Sequence, residues 1–244
     1  LCSLDNVEVH ADLIAGLPEY SLDMLCSDIA QLVGLGVNEL QVESLKVLPG
    51  TQMRQSAAIK SLKYSPLPPY EILSTPSITP RELKTAMQIS RMLDFYYNST
   101  AWQHIIRELI CENEDFLKDF TSHLDTLMVL DSPLSLERRG VILYDYCREH
   151  HPDKLTDVSI AWIEAGCSLK KEPAGDIVKI KNLEAYLTEN QENIIAEYGE
   201  QSSSHRYYLL KSADRKYIFG YDSEVHQPSP VFKALINDIQ KKED

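Results

Sequence analysis

The feature that most constrains the fold is a strand–helix–strand pattern near the start of the sequence. Residues 6–16 alternate between apolar and polar side chains, as expected of a strand with one covered face. Ser21 can cap the helix that follows, in which apolar residues recur at spacings of three and four until two closely spaced glycines. A second strand is predicted at residues 39–48. Because the connections are short, the pattern predicts a βαβ unit with parallel strands and a right-handed crossover.

The polar residues of these two strands are unusual. A buried parallel strand is normally apolar on both faces. Here Glu8, His10 and Asp12, together with Gln41 and Glu43, would point away from the helix. We interpret this polarity as the wet or ligand-filled interior of a βα barrel.

A cluster of five prolines between residues 63 and 80 follows the βαβ unit. It excludes a continuous helix or a central strand and predicts a surface crossing. The sequence Thr79-Pro80-Arg81-Glu82 is a capping box that opens a helix, and amphipathic stretches continue from there to about residue 170. The middle of the chain is therefore predicted to be a helical bundle.

The last third of the sequence predicts one helix, a hairpin and a terminal helix. Asn182–Tyr198 has a helical pattern, and the segments RYYLL and KYIFGY are separated by a short polar turn. A terminal helix is predicted from Pro230. The predicted fold class is thus mixed α/β and then mainly α: a remnant of a parallel βα barrel, a helical bundle and a C-terminal β-hairpin. The predicted domains are 1–78 (barrel end and proline-rich crossing), 79–170 (helical domain) and 171–244 (C-terminal helix and β-hairpin).

Charge and cysteine usage narrow the function classes. A formal net charge of −13 would repel a phosphate backbone and an anionic membrane surface, so neither nucleic acid nor membrane is expected as a partner. No apolar run approaches the roughly 20 residues of a membrane-spanning helix, and no signal peptide precedes the first strand, so a cytoplasmic location is expected. The five cysteines are scattered, without zinc or iron–sulfur spacing, which predicts reduced and mostly buried thiols.

Several segments resemble a known enzyme family. They are HADLIAGLPEYS at His10–Ser21, LQVESLKVLPGT at Leu40–Thr51 and PPYEIL at Pro68–Leu73. They resemble the end of the barrel in radical S-adenosylmethionine (SAM) enzymes of the coproporphyrinogen-oxidase-like and cobalamin-binding branches. There, a strand ending Asp-Leu-Ile-x-Gly-Leu-Pro is followed one βα unit later by Pro-Gly-Thr. The segments DFYYN at Asp94–Asn98 and YIFGY at Tyr217–Tyr221 resemble the C-terminal extension of cobalamin-binding members from anaerobic bacteria.

This resemblance implies a longer Fe–S oxidoreductase. In the full-length parent, three cysteines would bind a 4Fe-4S cluster that chelates SAM, and a radical derived from SAM would take hydrogen from an unknown small-molecule substrate. Cobalamin, in members that use it, would bind upstream. The sequence contains no Cys-x-x-x-Cys-x-x-Cys. We therefore expect a C-terminal fragment that holds no cofactor or metal and has no catalytic residue of its own, with the upstream part of the same protein as its partner.

The resemblance also suggests cofactor-binding residues. Asp12 corresponds to a strand carboxylate that contacts the sugar or the amino-acid part of SAM, and Gly16 and Pro18 would shape the adjoining turn. The alternatives are an Asp12 that satisfies backbone groups or a neighbouring base, and an ordinary βα turn. His10 is a candidate proton donor or substrate contact, with a structural, hydrogen-bonded histidine as its alternative.

Glu43 is a further candidate pocket residue. By strand alternation Glu43 and Lys46 lie on opposite faces and do not form an acid/base pair. Downstream, Cys147, His150 and His151 could bind zinc by residue type, although a helix end that places His beside the helix dipole is the alternative.

Two functions therefore remain open. The first is the end of a radical SAM enzyme, inactive alone, whose unpaired strand edges would favour a homodimer. The second is a non-enzymatic acidic helical module for protein interaction, in which residues 79–244 fold independently.

Overall fold

The computed structural model describes residues 7–113, 115–181, 205–212, 215–222 and 227–236. The chain forms two compact units, Leu1–Leu134 and Ser135–Asp244. Helices and strands occur in both units, so the mixed α/β class is confirmed. The described strands form a two-stranded parallel sheet, a two-stranded antiparallel sheet and a four-stranded antiparallel sheet, none of which closes into a barrel.

The first unit begins with the predicted βαβ arrangement. Strand β1 (His10–Ala15) pairs in parallel with β2 (Glu39–Ser44), and helix α1 (Leu22–Leu35) connects them. The Ser21 hydroxyl accepts a backbone N–H of the first turn, and Gly36 ends the helix in the left-handed conformation with φ 81°. The parallel pairing and both ends of this helix are as the sequence predicts.

The proline-rich crossing contains only short elements. They are α2 (Gln52–Gln55), β3 (Lys63–Tyr64) and β4 (Ile72–Ser74), and β3 pairs with β4 in antiparallel fashion. Between these two strands the Pro68–Pro69 peptide bond is cis. Lys46 forms an isolated antiparallel bridge with Glu71, which places the crossing beside the chain that leaves β2.

Four helical elements complete the first unit. They are α3 (Pro80–Met92), a π-helical segment (Leu93–Tyr97), α4 (Gln103–Glu112) and α5 (Phe116–Thr126). The predicted capping box of Thr79 and Glu82 is present at the start of α3. Helix α3 packs against β2 and against α5.

The core of this unit is aromatic and aliphatic. Tyr96 meets Phe120 edge-on with ring centroids 5.0 Å apart, and Phe120 stacks on Phe116 at 5.3 Å. Other fully buried members are Leu25, Ile29, Leu40, Ile78, Ile89, Tyr97 and Trp102. Because residues from the βαβ unit and from α3–α5 share the interior, the predicted domain start at residue 79 lies inside the first compact unit.

The second unit combines helices with the larger sheet. Its elements are α6 (Leu136–His150), α7 (Leu155–Glu164), β5 (Asp176–Ile180), β6 (His205–Lys211), β7 (Lys216–Asp222) and β8 (Phe232–Ile236). Short 3-10 turns at Pro152–Lys154 and Glu172–Ala174 lie between them. The sheet order is β5-β6-β7-β8, and all three pairings are antiparallel.

Four predictions for the chain after residue 79 have different outcomes. The β6–β7 hairpin is confirmed. The terminal helix is wrong at residues 232–236, because this segment pairs with β7 as a strand. The helix predicted at Asn182–Tyr198 lies outside the described residues. The helices predicted between residues 79 and 170 are present, and they are divided between the two units.

Among the described helices, none combines the length and the apolar character that crossing a bilayer requires.

Candidate functional site

The candidate site is the face of the β1–β2 sheet that points away from α1, called here the polar face. Its side chains are exposed or half-buried, and they belong to His10, Asp12, Ile14, Glu39, Gln41 and Glu43. The opposite face is apolar, with Leu40 and Val42 buried. Register makes the polar face continuous, because His10 is paired with Glu39, Asp12 with Gln41 and Ile14 with Glu43. The predicted division into one covered and one polar face is confirmed.

A hydrogen-bonded group of three side chains occupies one end of the polar face. His10 Nδ1 lies 2.8 Å from Glu39 Oε2. The Gln41 side-chain amide donates to the other Glu39 oxygen, Oε1, at 2.9 Å. His10 remains half exposed, with 54% of its side chain accessible. The imidazole is therefore held by Glu39, and about half of its surface remains accessible.

Asp12 lies in the middle of β1 beside this group. It is exposed, and its register partner is Gln41. Within the described part of the chain, Asp12 makes neither an ion pair nor a side-chain hydrogen bond. The alternative of a structural aspartate that satisfies a base or a strand end thus has no contact to support it there. Its predicted role toward SAM stays a prediction.

Gly16 has a structural reason for its identity. Its φ is +89°, and a Cβ atom at this position would lie 2.6 Å from Cγ2 of Ile72 and 3.3 Å from Cδ2 of Leu83. The residue is buried where β4 and α3 approach the end of β1, and Pro18 is half-buried two residues later. The close approach therefore explains the glycine by packing, and a role of Gly16 and Pro18 toward a cofactor stays a prediction.

Glu43 has a partner that strand alternation does not predict. Its Oε2 lies 3.6 Å from Lys46 Nζ. The prediction that these two residues lie on opposite faces is wrong, because β2 ends at Ser44 and Lys46 already bridges to Glu71. Both side chains are largely exposed, so the pair contributes little to stability. It leaves Glu43 at the edge of the polar face.

Side chains close the outer edge of β2. Asn98 Oδ1 accepts the Leu40 N–H and Asn98 Nδ2 donates to the Leu40 carbonyl, both at 3.0 Å. The Ser90 hydroxyl donates to the Val42 carbonyl at 2.8 Å. These contacts occupy groups to which a further strand would bind. A homodimer through strand edges stays a prediction, and at this sheet it would have to use the outer edge of β1.

Asp94 supports this closed edge. Its Oδ1 accepts a hydrogen bond from Asn98 Nδ2 at 3.2 Å. Partial burial raises the pKa of the Asp94 carboxyl, and the nearby carboxylates of Glu39 and Glu43 act in the same direction, whereas the hydrogen bond from Asn98 opposes them. The π-helical segment thus places an acidic group beside the polar face.

The cysteine–histidine motif of α6 does not converge on a common point. Cys147 is fully buried, and burial raises the pKa of its thiol to about 12. The rings of His150 and His151 pack on Tyr146, with centroids 4.6 and 5.9 Å away. Throughout the described residues, no group of three or more Cys, His, Asp or Glu side chains is placed to hold a metal ion. The geometry agrees with the helix-end interpretation of this motif.

The cysteines that the structure describes are free thiols. Cys26, Cys147 and Cys167 are buried and Cys111 is exposed. The prediction of mostly buried thiols is confirmed for these four residues, and their reduced state stays a prediction.

The residues that close the β2 edge lie in a segment that matches a protein-family model. Residues 61–159 match DUF4080, a family described as a protein of unknown function. The DUF4080 match covers less than half of the chain, and it includes Ser90, Asp94 and Asn98. No curated protein and no solved structure matches the chain.

Proposed function

We propose that the chain is the C-terminal part of a radical SAM Fe–S oxidoreductase. In this proposal β1, α1 and β2 are the last elements of a βα barrel, and the polar face lines its cofactor and substrate cavity. One observation carries the proposal: two parallel strands bury one face and expose the other with His10, Asp12 and Gln41. Parallel sheets are normally covered on both faces, so a polar uncovered face is the pattern of a ligand-filled interior.

The geometry of the strand ends supports the same proposal. Ligands of parallel βα folds bind at the carboxyl ends of the strands. The carboxyl end of β1 runs into the turn at Gly16, and the chain after β2 reaches the turn at Pro49-Gly50-Thr51, where Gly50 has φ +83°. At the same time Asn98 and Ser90 block growth of the sheet beyond β2. Further barrel strands would therefore be added on the β1 side.

The residues of this chain fit one part of the implied cofactor set. An exposed carboxylate such as Asp12 can accept two hydrogen bonds from a ribose diol or pair with an ammonium group, and SAM has both. When bound, SAM would supply the radical that takes hydrogen from a substrate. The described residues offer no ligand group for a 4Fe-4S cluster. We assign the cluster, and cobalamin if the protein uses it, to the upstream part.

A cytoplasmic location belongs to this proposal as well. Free thiols persist in reducing compartments, and the four described cysteines are free. The radical chemistry of SAM also requires a reduced cluster.

The interaction-module alternative requires residues 79–244 to fold without the βαβ unit. Asn98 and Ser90 instead donate to backbone carbonyls of β2, and α3 packs on the same strand. Cutting the chain at residue 79 would remove the partner of these groups. These contacts favour the enzyme proposal over this alternative.

Binding of SAM by the full-length protein tests the proposal. Asp12→Asn keeps the size of the side chain and removes its charge. We expect it to weaken SAM binding about tenfold, because a hydrogen bond to a charged group contributes about 1.5–3 kcal/mol. Asp131→Asn, an exposed aspartate after α5, is the matched control and should bind like the wild type. Equal affinities of the Asp12→Asn and wild-type proteins in calorimetry would remove Asp12 from the cofactor site.

A further inference from the structure

The polar face contains a carboxylate-held imidazole that suits proton transfer. Glu39 Oε2 lies 2.8 Å from His10 Nδ1. An ionised carboxylate can only accept hydrogen bonds, so Nδ1 must be the nitrogen that carries the proton. In the neutral ring this leaves the lone pair on Nε2.

A second contact fixes the carboxylate itself. Gln41 donates to Glu39 Oε1 at 2.9 Å, so both oxygens of Glu39 have a partner. Such outer partners hold an imidazole in one orientation. His10 and Glu39 are paired across β1 and β2, and Gln41 lies two residues after Glu39 on β2, so all three are on strands, which are a more rigid support than a loop.

The other ring nitrogen, Nε2, makes no hydrogen bond to a described residue. Glu8 Oε2 lies 3.9 Å from it, which is beyond hydrogen-bond length, and the Glu8 side chain is 83% exposed. Asp12 lies two residues along the same face. A ligand on the polar face could therefore reach Nε2 without displacing a strong hydrogen bond.

We propose that His10 is the proton-transfer residue of the polar face and that Glu39 is its positioning residue. The ligand class is a small molecule with an ionisable O–H or N–H group. That bond breaks, its proton passes to the Nε2 lone pair, and the Glu39 carboxylate stabilises the imidazolium at Nδ1. The reverse transfer returns the proton to the product. His10 and Glu39 are the first residues of β1 and β2, so the pair lies at the opposite ends of the strands from the carboxyl-end binding region of the proposed function. The imidazole–carboxylate pair and its proton transfer therefore do not rest on the radical SAM proposal.

A second histidine–carboxylate pair in the chain uses the other ring nitrogen and serves as an internal control. In α4 the Nε2 atom of His104, and not its Nδ1, lies 3.2 Å from Glu108 Oε1. His104 should therefore carry its proton on Nε2. His10 and His104 are thus two histidine–carboxylate pairs that predict opposite tautomers.

The first test is the tautomer of each ring in the 244-residue chain. Histidine labelled with ¹⁵N is observed by long-range proton–nitrogen correlation at a pH of about 8, where ordinary imidazoles are neutral. The variants His10→Gln and His104→Gln assign the signals. We expect Nδ1–H for His10 and Nε2–H for His104, and Glu39→Ala should shift His10 alone toward Nε2–H. An Nε2–H signal for wild-type His10, or one that Glu39→Ala does not change, would overturn the positioning role.

The second test measures the reactivity of the Nε2 lone pair. The probe is p-nitrophenyl acetate, an ester that accessible imidazoles hydrolyse, and the measured quantity is the rate of hydrolysis. We expect His10→Gln to lower the hydrolysis rate more than His104→Gln does, although the His104 side chain is 78% exposed, because Gln41 holds the carboxylate partner of His10 in place. Equal rates for His10→Gln and wild type would refute the proton-transfer role. Neither test needs a cluster or SAM. If both succeed while the full-length protein does not bind SAM, the pair stands and the radical SAM assignment falls.

Discussion

Asn98 is the residue whose removal should disturb the sheet most. Leu40 is fully buried, and its backbone N–H and carbonyl both end on the Asn98 amide at 3.0 Å. In Asn98→Ala both backbone groups lose their partner. Each unsatisfied buried group costs about 1–3 kcal/mol, and partial access of water to the edge offsets some of this. We expect the free energy of unfolding to fall by about 2–4 kcal/mol.

Urea unfolding and amide hydrogen exchange would measure this effect globally and locally. The Leu40 amide should lose protection in Asn98→Ala, since its acceptor is removed. The matched control is Asn113→Ala, because the side-chain hydrogen bond of Asn113 among the described residues is the one that its Oδ1 accepts from the exposed Asp115 N–H at 3.0 Å. The control should cost less than about 1 kcal/mol. If Asn98→Ala stays within about 0.5 kcal/mol of wild type and Leu40 keeps its protection, Asn98 does not close the edge.

Three other changes have expected outcomes. Gly16→Ala places a methyl group 2.6 Å from a β4 side chain at φ +89°, so thermal unfolding should show a loss of about 2–4 kcal/mol; no loss would contradict the close approach. The backbone N–H of Thr79 donates to Glu82 and lowers the pKa of its carboxyl. The stability that this hydrogen bond adds to the fold is therefore present above the ordinary carboxyl pKa of about 4.3, and it is lost as the pH falls through the lowered value. The stability difference between wild type and Glu82→Gln should therefore vanish in acid, and a constant difference would argue against the capping box. A thiol reagent followed by mass spectrometry should label exposed Cys111 before buried Cys147, whose pKa is raised to about 12; the reverse order would refute the burial.

The βαβ unit could be predicted because its signals are local. Alternation over residues 10–15 fixes the faces of β1, and Ser21 and Gly36 fix the ends of α1. The same alternation fails at Lys46, because the chain leaves β2 after Ser44 to bridge the proline-rich crossing. Strand length depends on such distant pairing.

Local sequence patterns do not predict which residues of the site contact one another. Alternation places His10 on the polar face, but it does not name Glu39, since that pairing depends on the register between two strands. Asn98 lies in the noted DFYYN segment, yet its partner Leu40 is 58 residues earlier. The packing of α3 has the same cause: its apolar face can be predicted, but the sequence does not specify that β2 covers it.

The most direct test of the central claim is reductive cleavage of SAM by the full-length protein. After anaerobic reconstitution with iron and sulfide and reduction with dithionite, the full-length protein should form 5′-deoxyadenosine. The 244-residue chain, which has no Cys-x-x-x-Cys-x-x-Cys, should form none under the same conditions. A full-length protein that binds no cluster and leaves SAM intact would contradict the proposal that the polar face belongs to a radical SAM barrel.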